Sequence, residues 1–252
     1  MHPSTVADVL TSLHREPGRP RLTWYGPDPE RVELSGAVLD NWVTKTANLL
    51  VEELDAGPGT RVVLDLPPHW RTLVWALAAW RVGACVVPAQ SAPPAVPPHG
   101  DVVVTTDPAA WTGAGAPVVA VALPALARRF DGDLPSGALD AASSVMTYGD
   151  ALGWVPDGDP RSPAVEAGGA TVPHAELLTW ARGTTGTPDG ARALLAVPGP
   201  TPHGVLTFLR QSLDVLGRAG SLVLLTPGRD AERVERLART ENVTAHVAPP
   251  AA

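Results

Sequence analysis

Apolar residues recur along this chain with two periods, and the alternation between them outlines the elements. Val6, Val9, Leu10 and Leu13 stand at helical spacing behind Ser4 or Thr5, residue types that cap a helix, and Pro17-Gly18 ends the run. Residues 21–25 and 31–34 are short and β-leaning, separated by Gly26-Pro27-Asp28-Pro29, which is a hairpin pattern. Ser35 then opens a long helix whose stripe is Val38, Leu39, Trp42, Val43, Leu49, Leu50 and Leu54, with Lys45, Asn48 and Glu52 off it. Residues 61–66 form a near-continuous apolar run, as in a strand buried on both faces. Pro67-Pro68 starts a helix through Trp70, Leu73, Val74, Leu77 and Trp80; Gly83 stops it, and 84–87 is the next strand, closed by Pro88. Strand, helix and strand at this spacing make a βαβ unit with parallel strands and a right-handed crossover.

Further on, 101–105 and 118–123 read as strands, 107–111 as one helical turn, and 124–145 as helical in two pieces broken by Gly132 and Pro135. Residues 148–163 carry Gly, Asp and Pro throughout and mark a boundary. The earlier order then repeats: helix from His174 to Arg182, turn at Pro188-Asp189-Gly190, strand 191–197, helix 202–218, stop at Gly220, strand 222–225 near Pro227. A helix over 230–239 and a strand over 243–247 complete the pattern. The pattern predicts an α/β protein of three layers with a mostly parallel sheet. Its two related lobes, 1–160 and 161–252, pack as one compact unit.

Composition narrows the partners. The net charge is −7 with no basic stripe, which argues against nucleic acid, and Lys45 is the single lysine among 19 basic residues. Cys85 has no cysteine to pair with and sits in an apolar run; no Cys/His spacing suits zinc. No apolar run reaches membrane-spanning length, and the first residues lack a leader pattern, so the expected location is the cytoplasm and the membrane is not an expected partner.

The stretch that most suggests chemistry is Gly183-Thr184-Thr185-Gly186-Thr187-Pro188-Asp189-Gly190, whose small and hydroxyl residues look like a phosphate-holding loop. Two longer blocks carry a resemblance. Residues 42–88 hold a helix, the turn and strand Pro58-Gly59-Thr60-Arg61-Val62, a second helix, and Gly83-Ala84-Cys85-Val86-Val87-Pro88. Residues 196–250 hold Pro200-Thr201-Pro202-His203-Gly204, a helix, a strand and a helix leading to Val243-Thr244. Both resemble adenylate-forming enzymes (acyl-CoA synthetases, luciferase-like ligases, adenylation domains), in the same order. More narrowly, the chain resembles short actinobacterial proteins distantly related to AMP-binding enzymes.

That resemblance implies the fold of a truncated N-terminal domain and an adenine nucleotide or acyl ligand. It also sharpens the loop. Asp189 stands where the family's loop lysine would be, and Gly190 lies only thirteen positions before His203. "TVPHAELLTWAR" is similar to the His-bearing turn and helix after the family's loop, which moves the loop's place to 162–170, "SPAVEAGGA", where no lysine occurs. Residues 183–190 are then a plain helix-to-strand connection. The family's ribose-binding acid and catalytic lysine belong to segments after this sequence ends.

The implied function is a degenerate homologue, a pseudoenzyme without adenylation activity. It would keep a residual nucleotide or acyl pocket, where ATP or AMP binds without turnover, or act as an interaction protein that binds a protein partner. Two alternatives are a ligase half completed by a partner chain and a scaffold with no ligand. No catalytic or metal residue is assigned. Thr201, His203 and Gly204, at a strand-to-helix junction, and His174, at a helix start, are the candidate ligand-binding residues. His69 follows Pro67-Pro68 at the equivalent junction of the first unit, and Asp65 reads as a hydrogen-bonded strand-end acid.

Overall fold

The computed structural model describes residues 3–27, 29–89, 102–228 and 230–247. In chain order the elements are α1 (Val6–Leu13), β1 (Pro20–Tyr25), β2 (Arg31–Ser35), α2 (Gly36–Leu54), β3 (Arg61–Asp65), α3 (Trp70–Arg81) and β4 (Cys85–Pro88). Next come β5 (Val102–Thr105), β6 (Val118–Ala120), β7 (Leu139–Asp140), α4 (Ala141–Ser144), β8 (Pro163–Ala167) and β9 (Ala170–Pro173). The last are α5 (Leu177–Ala181), β10 (Arg192–Ala196), α6 (Pro202–Gly217), β11 (Ser221–Leu225), α7 (Ala231–Thr240) and β12 (Ala245–Val247).

Local chemistry sets the helix starts. Thr5 and Asp8 form a reciprocal capping box on α1, with the Asp8 N–H on Thr5 Oγ1 at 3.1 Å and the Thr5 N–H on the Asp8 carboxylate at 3.0 Å. Ser35 Oγ accepts the Val38 N–H, and Thr201 Oγ1 accepts the Gly204 N–H at 3.0 Å.

The strands form two sheets, ordered β12-β10-β11-β1-β2 and β7-β6-β5-β3-β4-β8-β9. Among the described residues all pairings are parallel except the hairpins β1–β2 and β8–β9. The sheets do not divide the chain at residue 160. The N-terminal hairpin joins the C-terminal strands, Leu22 beside Leu222, while Val165 of β8 pairs with Val86 of β4.

Alternation along the strands explains the layering. Leu22, Trp24, Leu195 and Leu224 of the first sheet share one core with Val62, Leu64, Val86 and Val104 of the second, and helices α1, α2, α3, α5 and α6 contribute to it. The opposite face of the first sheet packs Leu194, Val223 and Leu225 on Val234 and Leu237 of α7. The opposite face of the second packs Val63 and Val103 on Trp111, in the 3₁₀ turn Pro108–Trp111. Asp65, at the end of β3, accepts from Thr105 Oγ1 and Trp111 Nε1, each at 2.8 Å.

Two expectations fail. Of the helices expected over 124–145 only the single turn of α4 forms, with the 3₁₀ turn Val145–Thr147 after it. Backbone groups of 123–130 are met by distant side chains instead: Arg71 takes the carbonyls of Leu123, Pro124 and Ala125, Glu30 the Ala125 N–H, and Asp140 the Phe130 N–H. The segment 162–170, where a phosphate loop was expected, is most of a β-hairpin. Gly168 (φ 58°) and Gly169 (φ 80°) form its turn, which demands left-handed backbone at both positions.

The stretch expected as a boundary is tied down by α2. Asn48 donates to the carbonyls of Gly149 and Ala151 and accepts the Gly153 N–H. Lys45 Nζ lies 2.8 Å from Asp150 Oδ1 and 2.5 Å from the Tyr148 carbonyl. Among the described residues no helix is long and apolar enough to cross a membrane.

Candidate functional site

Parallel strands send their carboxyl ends to one edge of a sheet, and ligands of α/β folds bind in the crevices outside those ends. Here the ends of two sheets face each other. Between them lies a cleft of about 440 Å³, within the usual ~300–1,000 Å³ for small-molecule sites. It collects residues from the ends of β1 (Trp24), β3 (Pro67, Pro68, His69), β6 (Leu123, Pro124), β10 (Val197, Pro198, Pro200) and β11 (Thr226, Pro227), with Pro27 and Glu30 from the β1–β2 turn.

Each wall has a local reason. His69 caps α3: its Nδ1 accepts the Arg71 N–H at 3.1 Å, so the neutral ring carries its proton on Nε2 as a donor. The ring is 4% exposed and meets Trp24 edge-on, with centroids 4.4 Å apart. Burial, then the nearby Arg71 charge, pushes the His69 pKa down to about 3, so the imidazole is neutral at physiological pH. Glu30 spends both carboxylate oxygens on structure, one on Trp24 Nε1 at 3.1 Å and one on the Ala125 N–H at 2.9 Å.

Seven of the thirteen lining residues are proline: 27, 67, 68, 124, 198, 200 and 227. Proline has no N–H. Of the other lining residues, Glu30, Val197 and Thr226 already give their N–H groups to the carbonyls of Pro27, Leu225 and Tyr25. Among the described residues no lysine or arginine lines the cleft, and Glu30 adds an acid. The donor set that would hold a nucleotide's phosphates does not fit: anion sites in such folds are made of free backbone N–H groups and cations.

The four candidate residues do not converge. Thr201 is the cap of α6, and Gly204 in its first turn presses on the preceding loop; a Cβ there would stand 2.0 Å from the Gly199 carbonyl oxygen. Both therefore support the Pro198–Pro200 wall from behind without lining the cleft. His203, on the same turn, is exposed and does not line the cleft. His174 lies at the amino end of β4, bonded to the backbone of Gly83 and Ala84, and burial pushes its pKa down. Trp24, Glu30, Leu123 and Pro124 went unseen in the sequence; the one signal there was proline after several strands.

The loop 183–190 holds an anion, but an internal one. The Asp214 carboxylate on α6, 1% exposed, accepts from the Gly183 N–H (3.1 Å), the Thr185 N–H (2.9 Å), Thr185 Oγ1 (2.7 Å) and Arg218 Nε (2.8 Å). Burial raises its pKa, yet these bonds outweigh burial and hold the carboxyl below its ordinary value. Asp189, at the expected lysine position, pairs with Arg218 at 3.3 Å. Among the described residues no cluster of His, Cys, Asp or Glu could hold a metal ion.

This arrangement of two facing sheets is the fold of adenylate-forming enzymes. The chain is similar to an acyl-CoA synthetase of Brucella canis (TM-score 0.70, 17% identity, covering 94% of this chain and 46% of that one). It is also similar to acetoacetyl-CoA synthetase of Streptomyces lividans (TM-score 0.72, 17% identity, 96% and 42%) and to apo MatB of Rhodopseudomonas palustris (TM-score 0.64, 18% identity, 95% and 48%). It spans under half the length of each. A family model of AMP-binding enzymes matches residues 10–96. The chain belongs to the TIGR03089 family: it is 31% identical over 246 residues to the TIGR03089 family protein of Mycobacterium tuberculosis (strain ATCC 25618 / H37Rv), covering 96% of this chain and 98% of that protein.

Proposed function

We propose that this protein is a non-adenylating member of the fold that binds the uncharged, apolar acyl part of a ligand in the cleft between the two sheets. The observation that carries this reading is the proline lining. It leaves an apolar wall where phosphate-binding N–H groups would be needed. The neutral His69 offers its Nε2–H to one acceptor such as an amide or ester carbonyl, while Glu30 disfavours a free carboxylate. Lys45 is bound to Asp150 and the Tyr148 carbonyl, outside the cleft.

Thermal denaturation with a ligand panel tests it, because a ligand that binds only the native state raises the melting temperature. A neutral amide such as N,N-dimethylhexanamide raises the melting temperature; ATP and AMP at millimolar concentration do not. A shift with ATP and none with the amide, or ATP–pyrophosphate exchange by the purified chain, overturns the reading. The span of under half of the acyl-CoA synthetases also favours a second reading, a ligase half completed by another chain. That reading requires exchange activity to arise on mixing with the missing half.

A further inference from the structure

Five large hydrophobic side chains are exposed among the described residues, and Trp154 is the one aromatic among them, 77% exposed. Exposed apolar residues scattered singly need no explanation. Trp154 differs in how its backbone is held. Leu152 and Val155 on either side of it pack against the core, so the indole is the side chain this stretch turns outward. The Gly153 N–H is bound to Asn48 Oδ1 at 2.9 Å, and Pro156 presses on Gly57, where a Cβ would meet the proline Cγ at 3.0 Å. A large ring is thus presented on a backbone tied down before and after it, and a partner that covers the ring has little chain to order.

The charge around the ring is one-sided. A Cβ at Gly153 would stand 3.6 Å from Glu52 Oε1, which puts that carboxylate beside the residue before the indole, and Asp157 follows three positions after it. Both acids are exposed, and among the described residues neither has an ion-pair partner. Glu53 accepts from the Tyr148 hydroxyl at 2.8 Å. Asp150 and Asp159, by contrast, have Lys45 and Arg161. An indole face flanked by unpaired carboxylates attracts a cation. A guanidinium suits it better than an ammonium, because its plane stacks on the ring and its fork of N–H groups matches a carboxylate.

We propose that this surface docks a basic segment of a protein partner, with an arginine stacked on Trp154 and held by Glu52 and Asp157. Tryptophan and arginine are the side chains that most often dominate binding at protein interfaces, as an anchor of this kind requires. Trp154 does not line the cleft, and the proposal is independent of what the cleft binds.

Hexa-arginine, titrated at fixed ionic strength and followed by calorimetry, is the probe. It binds the unsubstituted protein. Trp154→Ala weakens binding roughly fivefold, and Glu52→Gln with Asp157→Asn weakens it by about as much or more. Asp131→Asn with Asp133→Asn removes the same charge from another exposed stretch and leaves the affinity within about twofold. Trp154→Ala keeps its melting temperature, as an exposed ring requires, so its lost affinity is not lost folding. Equal losses from the two acidic pairs with none from Trp154→Ala reduce the attraction to net charge and overturn the proposal, as does an absence of binding by the unsubstituted protein. Sedimentation adds one more arm: self-association that Trp154→Ala abolishes makes this face an interface between copies of the chain and overturns the basic partner.

Discussion

The units β3–α3–β4 and β10–α6–β11 are built by one rule and finished by different chemistry. Each has a strand buried on both faces, a helix, and a parallel neighbouring strand, with Arg61 beside Cys85 in one and Arg192 beside Ser221 in the other. They differ where the chain turns. The turn between α2 and β3 closes on itself, since Thr60 Oγ1 accepts the Gly57 N–H and the Thr60 N–H meets the Gly57 carbonyl. The loop between α5 and β10 is held from outside by the buried Asp214. The strand-to-helix junctions differ likewise, with a buried imidazole capping α3 and a threonine capping α6. Repetition of a supersecondary pattern therefore says little about which turn carries chemistry; the partners of each turn decide.

The largest effect that sharpens this contrast comes from Asp214→Ala. It leaves the Gly183 and Thr185 N–H groups without their acceptor and Arg218 with Asp189 alone, at a cost of about 3 kcal/mol. Thr60→Ala in the self-closed turn costs about 1 kcal/mol. Urea denaturation measures both; equal costs would erase the distinction between the turns.

A second effect is the pH dependence from His69. Its folded pKa of about 3 lies below the ordinary 6.5, so the unfolded chain binds the proton more readily. The stability from the neutral ring is full above pH 6.5 and is lost as pH falls towards 3, at up to about 1.4 kcal/mol per pH unit. His174, also depressed, adds in the same direction. His69→Asn keeps a capping acceptor and removes the titration, so its stability falls less steeply between pH 6.5 and 4. Equal slopes for the two proteins would show that His69 is not the titrating group.

Both βαβ units are legible in the sequence because strands buried on two faces and striped helices leave local patterns, punctuated by Pro67-Pro68, Gly83, Pro202 and Gly220. The sheet memberships are not legible. The parallel partners Leu22 and Leu222 are two hundred positions apart, and nothing local marks them. Residues 124–138 look helical by composition, but Glu30, Arg71 and Asp140 take their backbone groups. The cleft fails to show for the same reason. Its prolines read as punctuation one by one, and only the facing of two sheets turns them into a lining. In 183–190 the sequence displays the donors but not the acceptor, which arrives from α6.

The smallest effect concerns the two glycines that stop α3 and α6, which look equivalent in the sequence. Gly83 has φ 80°, a left-handed conformation, and a Cβ there would stand 3.1 Å from Pro58 Cγ. Gly220 is absent from the left-handed region; it is there for space, since a Cβ would stand 2.7 Å from the Ala191 carbonyl oxygen. In the second unit Ala219 bears the left-handed turn instead, at φ 56°. Ala219→Gly therefore relieves a Cβ clash of about 1 kcal/mol or more, partly offset by the freer unfolded chain, for a net gain of about 0.5 kcal/mol. Gly83→Ala runs the other way, losing about 1 kcal/mol or more. Gly220→Ala is destabilising through the contact with Ala191 even though its backbone tolerates a side chain. Melting temperatures of the three variants separate the reasons: a gain for Ala219→Gly and losses for the other two support the distinction, and a loss for Ala219→Gly breaks it.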